Sequence, residues 1–364
     1  MRLTLVAILI SSVVAATSYA KEKTDTIVAR KSMFLIPYAS YQSETNLAPG
    51  FTCGYYFRSK SINRISSITS NLTYTFRNQF TINLSPKIYF GTNKLYLYSN
   101  INLRNYPDYF YGISNKPTAI KLPYTSKSFS LILQPQYIIS NRFFVGVTLS
   151  YRNERIKTDA SFENSNTPIF NSYGMAGWQP YAQTSIGLVA ALDTRDSQFY
   201  PQHGFFSKTT FSSSKAGWGS NYSLQEITID CRKYFPIFTT HTFALQTYYA
   251  GIFGNDGIPF QQLLSVGGRD ALRGFQQGKF RENSVFLVQT EYRLPLYKRL
   301  KAAIFCSAGD VFKSSNYEID KLKVVYGAGL RYRLNDARVH LRMDIAKNNY
   351  GDKLQLYVTA SEAF

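Results

Sequence analysis

Apolar and polar positions alternate along most of this chain. Phe129, Leu131, Leu133, Pro135, Tyr137 and Ile139 are interleaved with Ser128, Ser130, Gln134 and Gln136, a period of two held over about a dozen residues. The same pattern sets Ile186, Leu188, Ala190 and Leu192 against Ser185, Gly187 and Asp193. Further on, Val324, Tyr326, Ala328, Leu330 and Tyr332 alternate with Lys323, Gly327, Gly329, Arg331 and Arg333, and Val339, Leu341, Met343 and Ile345 oppose His340, Arg342 and Asp344. A soluble sandwich also alternates, with its charges turned to water. Run length separates the two. These runs last about 9 to 13 residues, whereas soluble strands cluster near 5 to 6 and a tilted strand crossing a bilayer needs roughly 9 to 11.

The alternation predicts sixteen strands, at 33–41, 50–58, 66–75, 79–89, 93–105, 127–139, 142–153, 182–193, 204–215, 222–235, 241–252, 284–294, 300–310, 323–333, 338–348 and 353–363. The long connections, at about 106–126, 154–181 and 253–283, all follow odd-numbered strands and so emerge on one side. Connections after even-numbered strands stay short, as at Ser140-Asn141 and Leu334 to Arg338. An even strand number with long loops on one side and short turns on the other is the pattern of an outer-membrane barrel. The expected fold is therefore all-β, a closed antiparallel transmembrane β-barrel of about 16 strands, with its long loops at the cell surface.

Composition agrees. Of 364 residues, 45% are hydrophobic, 16% aromatic and 17% charged, with 29 Tyr and 27 Phe. That excludes wholesale disorder and favours strands. Beyond residue 20 no run reaches the roughly 18 apolar residues of a membrane-spanning helix. Residues 1–20 read as an export signal: Arg2 gives the positive start, Leu3 to Ala16 the apolar stretch, and Ser18-Tyr19-Ala20 a small-x-small cleavage site. Residues 21–32 would form a short periplasmic segment and 33–364 the barrel. Phe364 is expected to end the chain on a strand, with no room for a separate domain at either end.

Lys and Arg number 41 against 22 acidic residues, a net charge of +19. The basic residues are scattered over turns and one strand face, without a stacking platform or motif for nucleic acid. Anionic lipopolysaccharide and outer-membrane lipids are the partners this charge suggests. The three cysteines, Cys53, Cys231 and Cys306, are too few and too dispersed for a disulfide scaffold or a zinc site. Outer-membrane lipase chemistry needs a serine, a histidine and an acid together. His203 and His241 fall at turns or strand ends, and His340 shares a polar face with Arg342 and Asp344. No phosphate-binding loop or paired-carboxylate signature occurs, so neither an enzyme nor a cofactor or metal is expected.

One loop carries a family signature. Leu264-Ser265-Val266-Gly267-Gly268-Arg269-Asp270-Ala271-Leu272-Arg273-Gly274-Phe275 resembles the sixth-loop motif of the BamA/TamA superfamily, also called the bacterial surface antigen family. Its Arg-Gly-aromatic tripeptide stands here as Arg273-Gly274-Phe275, between the eleventh and twelfth expected strands. Asp193-Thr194-Arg195-Asp196 with Pro201 and Gly204, Gln289 to Leu296, and Phe305 to Val311 are similar to further segments of that family, in the same order. The resemblance covers about residues 30–364.

The resemblance implies a loop folded into the lumen, with Arg273 bonded to carboxylates on the inner wall. Alternation turns Glu291 inward with Gln289 and Arg293, making it the best partner for Arg273. The family's second acid falls at Ser307 here; Asp193 is another inward candidate, and Asp310 has the opposite parity. Phe364 resembles the terminal aromatic by which such barrels are recognised for insertion, with Glu362 beside it on the nominal lipid-facing parity. Assembly and secretion members of the family carry periplasmic modules that receive client chains, which this sequence is expected to lack. Two functions stay open. One is assembly or translocation of outer-membrane proteins or lipids in a Gram-negative envelope, with client barrels or separate periplasmic factors as partners. The other is a surface-exposed structural or channel barrel with an occluding loop.

Overall fold

A computed structural model describes residues 31–42, 46–58, 64–75, 79–91, 94–116, 118, 121–140, 142–157, 176–255, 257–313, 322–335, 338–360 and 362–364. The expected export signal at 1–20, and all of the segment behind it except Lys31 and Ser32, lie outside these residues. Sixteen strands form one antiparallel sheet in chain order, each hydrogen-bonded to the next. They are β1 Lys31–Gln42, β2 Asn46–Phe57, β3 Ser66–Tyr74, β4 Phe80–Phe90, β5 Leu95–Phe110, β6 Leu122–Ser140, β7 Phe143–Lys157 and β8 Tyr181–Asp193. The second half comprises β9 Gly204–Ser214, β10 Leu224–Pro236, β11 Thr242–Gly254, β12 Ser284–Tyr297, β13 Leu300–Phe312, β14 Lys323–Arg333, β15 His340–Asn348 and β16 Gln355–Ala360.

The strands form because β-branched, aromatic and hydroxyl residues repeat every second position, which suits a pleated surface. Their burial is inverted relative to a water-soluble protein. Large apolar side chains such as Leu35, Leu103, Leu188, Ile304, Tyr326 and Ile345 are exposed, while Gln134, Gln183, Gln246, Gln289, Glu291, Arg293, Arg331 and Asp344 are buried. The sheet thus has an open apolar face and a covered polar one.

The segment between β11 and β12 covers the polar face. At one end Phe260 packs on Phe110, Tyr124 and Trp178, with ring centroids 5.2, 5.3 and 4.5 Å apart. At the other, Arg273 meets side chains of β12 and β15. One short segment can touch β5–β6 and β12–β15 together only if the polar face is concave. At the two ends of the strand order, β1 and β16 come within 8 Å of each other. No backbone ladder joins them among the described residues.

All sixteen expected strands are present, but three boundaries differ in informative ways. β5 and β6 pair from Leu95↔Tyr137 out to Phe110↔Leu122, running past Pro107 and Pro123 into the connection expected at 106–126. Alternation continues there with Tyr106, Asp108 and Phe110, but the prolines and charges mask it. β16 ends at Ala360, so Phe364 lies beyond the last strand, not on it. The cause is local capture. Arg331 Nε binds Glu362 Oε2 at 2.8 Å, and Arg293 Nη2 donates to the Phe364 carbonyl at 3.2 Å. These contacts pull the tail off the ladder and turn Glu362, expected on the apolar parity, into the polar side.

Candidate functional site

The covering segment is shaped by its glycines and by a small ladder. Leu264-Ser265 pairs with Arg281-Glu282, and nearer the tip Gly268 N donates to Phe275 O at 2.9 Å. Between them Leu272 and Gly274 adopt positive φ, 46° and 126°. A Cβ on Gly274 would lie 2.4 Å from Val325 Cγ1, so the tripeptide can lie on the wall only with glycine there. Phe275 enters an apolar cluster with Val266, Leu272, Phe280, Val285, Val311 and Val325. Its burial sets the tip's depth and leaves Arg273 beside the polar wall.

Arg273 is fully buried and bridges two strands. Its Nη2 lies 3.0 Å from Glu291 Oε2 on β12, and its Nη1 lies 2.6 Å from Asp344 Oδ2 on β15. The guanidinium carbon stands 3.7 Å from the centroid of the Phe305 ring on β13, a cation–π contact. Glu291 is shared: Arg293 Nε reaches its Oε1 at 2.8 Å and Arg331 Nη2 its Oε2 at 3.0 Å. Asp344 is shared too, with Arg331 Nη1 at 2.6 Å and Arg342 Nε at 3.5 Å. Arg342 in turn holds Asp270 of the loop at 3.0 Å. Four guanidiniums thus meet four carboxylates, counting Glu362 on Arg331. All but the half-exposed Asp270 have buried side chains, and charge balance is what lets such groups stay ionised away from water.

Period two explains the convergence. Gln289, Glu291 and Arg293 share one face of β12, as do Arg342 and Asp344 on β15. Gly329 pairs with Asp344 across the β14–β15 ladder and with Ala303 on the other side. A Cβ at Gly329 would come 2.0 Å from Asp344 Oδ1, so the missing side chain is the space the carboxylate fills.

Of the expected partners of Arg273, Glu291 lies against it and two do not. Ser307 donates to Gln289 Oε1 at 3.3 Å. Asp193 is chelated by Arg195, through Nε at 2.9 Å and Nη2 at 2.8 Å, and supports the turn after β8. Asp344 supplies the second carboxylate instead. Alternation places it on the polar face, but nothing in its own strand marks it as a partner of a loop 71 residues earlier. Asp310, of opposite parity, turns back to Lys323 Nζ and to its own following amide. Phe364 is buried against Tyr234 and Ala244. The three cysteines are free: Cys53 and Cys231 are half-buried, and Cys306 is exposed on the apolar face.

Such an array fastens a loop; it offers no nucleophile with an adjacent base. His340 Nδ1 is 2.9 Å from the Arg338 carbonyl, and His241 Nδ1 is 2.8 Å from the Tyr292 hydroxyl. Among the described residues, no three His, Cys, Asp or Glu side chains converge as a metal site.

Comparison with solved structures gives the same fold. A BamA from Haemophilus ducreyi lacking POTRA domains 1–3 superposes with a TM-score of 0.61 at 15% identity, over 98% of this chain and 78% of that one. CdiB from Acinetobacter baumannii gives 0.58 at 13% identity, over 91% and 58%. No curated protein matches the sequence. The Omp85 superfamily domain matches residues 64–364, from before β3 to the last residue, and includes every side chain of the arginine cluster. With the sixteen-stranded sheet and the Arg-Gly-Phe loop, that match makes this chain a member of the Omp85 superfamily.

Proposed function

We propose that the sheet closes into an outer-membrane barrel, with the β11–β12 segment lodged in its lumen, and that it acts in inserting or moving proteins or lipids at the outer membrane. Residues 1–20 would export it and 21–32 would stay periplasmic, with 33–364 as the barrel. The exposed apolar band supports a lipid-facing wall, since a face this apolar is not left to water. Membership of the superfamily supports assembly or translocation over catalysis. The observation that carries the reading is Arg273, fastened to carboxylates of two separate strands at the tip of a segment crossing the concave face. A fastening that costs four buried guanidiniums is more than a surface loop requires. Phe364 would serve in the protein's own insertion, and lipopolysaccharide, client barrels or separate periplasmic factors would be its partners.

A second reading is a structural or channel barrel in which the segment is only a plug. Burial of Arg273 with Glu291 and Asp344 is also what a fixed plug requires. Depleting the chain and quantifying the other outer-membrane proteins tests the first reading. A broad fall in other barrels is the expected result, and an unchanged profile overturns it. Under the plug reading, Arg273→Ala raises conductance in planar bilayers while envelope composition stays constant.

A further inference from the structure

The apolar side of β6–β8 carries a groove that the loop cluster does not use. Leu131 and Leu133 of β6, Leu149 and Tyr151 of β7, Ile186 of β8 and Trp218 line it. Trp218 comes from the short 3-10 turn Ala216–Trp218 after β9 and is half exposed. Phe129 and Tyr151, with ring centroids 6.2 Å apart, continue the aromatic edge at the same end. Such aromatic rings mark the level of lipid headgroups.

Beyond that edge stands a pair of like charges. Lys127 of β6 and Arg155 of β7 are direct partners in the ladder, and both are exposed. Lys157 lies two residues further along the same face, opposite Thr125. Like charges directly opposite one another destabilise a sheet unless something neutralises them. Neither Lys127 nor Arg155 has an ion-pair partner among the described residues. The nearest acid in β7, Glu154, points to the polar face and is held by Ser126 and Arg152. Four residues separate Lys127 from Leu131, about 13 Å along the strand. On a strand tilted about 45° that is about 9 Å of depth, enough to carry the charges out of the hydrocarbon and into a headgroup layer about 5–8 Å thick on each side. Lys215, with Nζ 5.4 Å from the Trp218 ring, adds a cation at the groove's rim.

We propose that this surface binds a membrane lipid with a phosphate-bearing anionic headgroup. Its phosphates sit between Lys127 and Arg155, and an acyl chain lies in the Leu131–Leu149–Ile186 groove under Trp218. The proposal rests on the reading of this face as membrane-embedded, and deepens it by naming a lipid class and a place.

The test places the full chain in phosphatidylcholine nanodiscs doped with either diphosphorylated lipid A or its dephosphorylated counterpart. Retained lipid is counted by native mass spectrometry. Selective retention of the diphosphorylated form is expected, lowered about tenfold in Lys127→Gln/Arg155→Gln, as the loss of a charge-assisted phosphate contact implies. Trp218→Ala should weaken retention without removing selectivity, which keeps the site testable if the double variant does not fold. Lys233→Gln, on the same face but away from the groove, should change nothing. Equal retention of both lipids by the wild type, or undiminished retention by the double variant, overturns the site. A wild-type chain that does not enter nanodiscs at all overturns the membrane-embedded reading itself.

Discussion

Arg273 and Asp344 are joined by a 2.6 Å ion pair with neither side chain exposed to solvent. Asp344 faces two further guanidiniums, Arg331 at 2.6 Å and Arg342 at 3.5 Å. Neutralising it leaves three buried cations short of a counter-charge. Removing one partner of a buried pair costs about 3–5 kcal/mol. Asp344→Asn should therefore lower the temperature at which the folded, fast-migrating gel band converts to the unfolded one. Ser307→Ala, which gives up one neutral hydrogen bond to Gln289, should cost about 1 kcal/mol. Equal shifts for the two variants would mean that Asp344 is not the second anchor of the loop.

Arg273→Lys keeps the charge and loses the fork. One guanidinium spans carboxylates on β12 and β15 through separate nitrogens, Nη2 and Nη1. A lysine ammonium is a single point and cannot reproduce that planar two-sided contact. Limited proteolysis should cut within 264–282 of the lysine variant and spare the wild type, while the strands resist in both. Full protection of the variant would show that charge alone holds the loop.

The strands are legible in the sequence because period two survives in nearly all of them, and the polar parity of Glu291, Arg331 and Asp344 follows from it. What alternation cannot supply is which rows of different strands lie level. Asp344 sits opposite Gly329, which sits opposite Ala303, which sits opposite Arg293. Only this chain of three registers brings β15 under a loop rooted between β11 and β12. A register is a property of paired strands, not of either alone. The resemblance points to Ser307 for the second partner, and in this chain the acid stands two strands away, at Asp344. Gly327 and Gly329, both on the polar parity, were a visible sign that something comes close to β14.

Gly329→Ala tests that close approach. Its Cβ would lie 2.0 Å from Asp344 Oδ1 and 2.7 Å from Arg331 Nη1. Neither atom can retreat without breaking an ion pair, so overpacking of about 1–3 kcal/mol is expected. The melting shift of Gly329→Ala should shrink but not vanish in an Asp344→Ala background, because the clashing carboxylate is gone while the Met343 carbonyl oxygen, 2.5 Å from the same Cβ, remains. Additive shifts would place the strain elsewhere.

The loop is also tied to the last strand through backbone. Gly274 N donates to the Tyr357 hydroxyl on β16 at 3.1 Å, and Asn348 Nδ2 on β15 donates to Gly274 O at 2.8 Å. Both polar groups of one residue are thus satisfied by the strands nearest the β1–β16 junction. Tyr357→Phe removes the acceptor and leaves a buried N–H unpaired, a cost of about 1–3 kcal/mol. Because Arg273 still anchors the loop, the expected effect is local opening and not unfolding. Hydrogen–deuterium exchange should speed up in peptides covering 264–282 and in β16, while β5 and β6 exchange at the wild-type rate. Faster exchange in the loop alone would mean that it does not brace the last strand. Faster exchange in both would couple the loop's position to the β1–β16 junction, where no ladder joins the strands among the described residues.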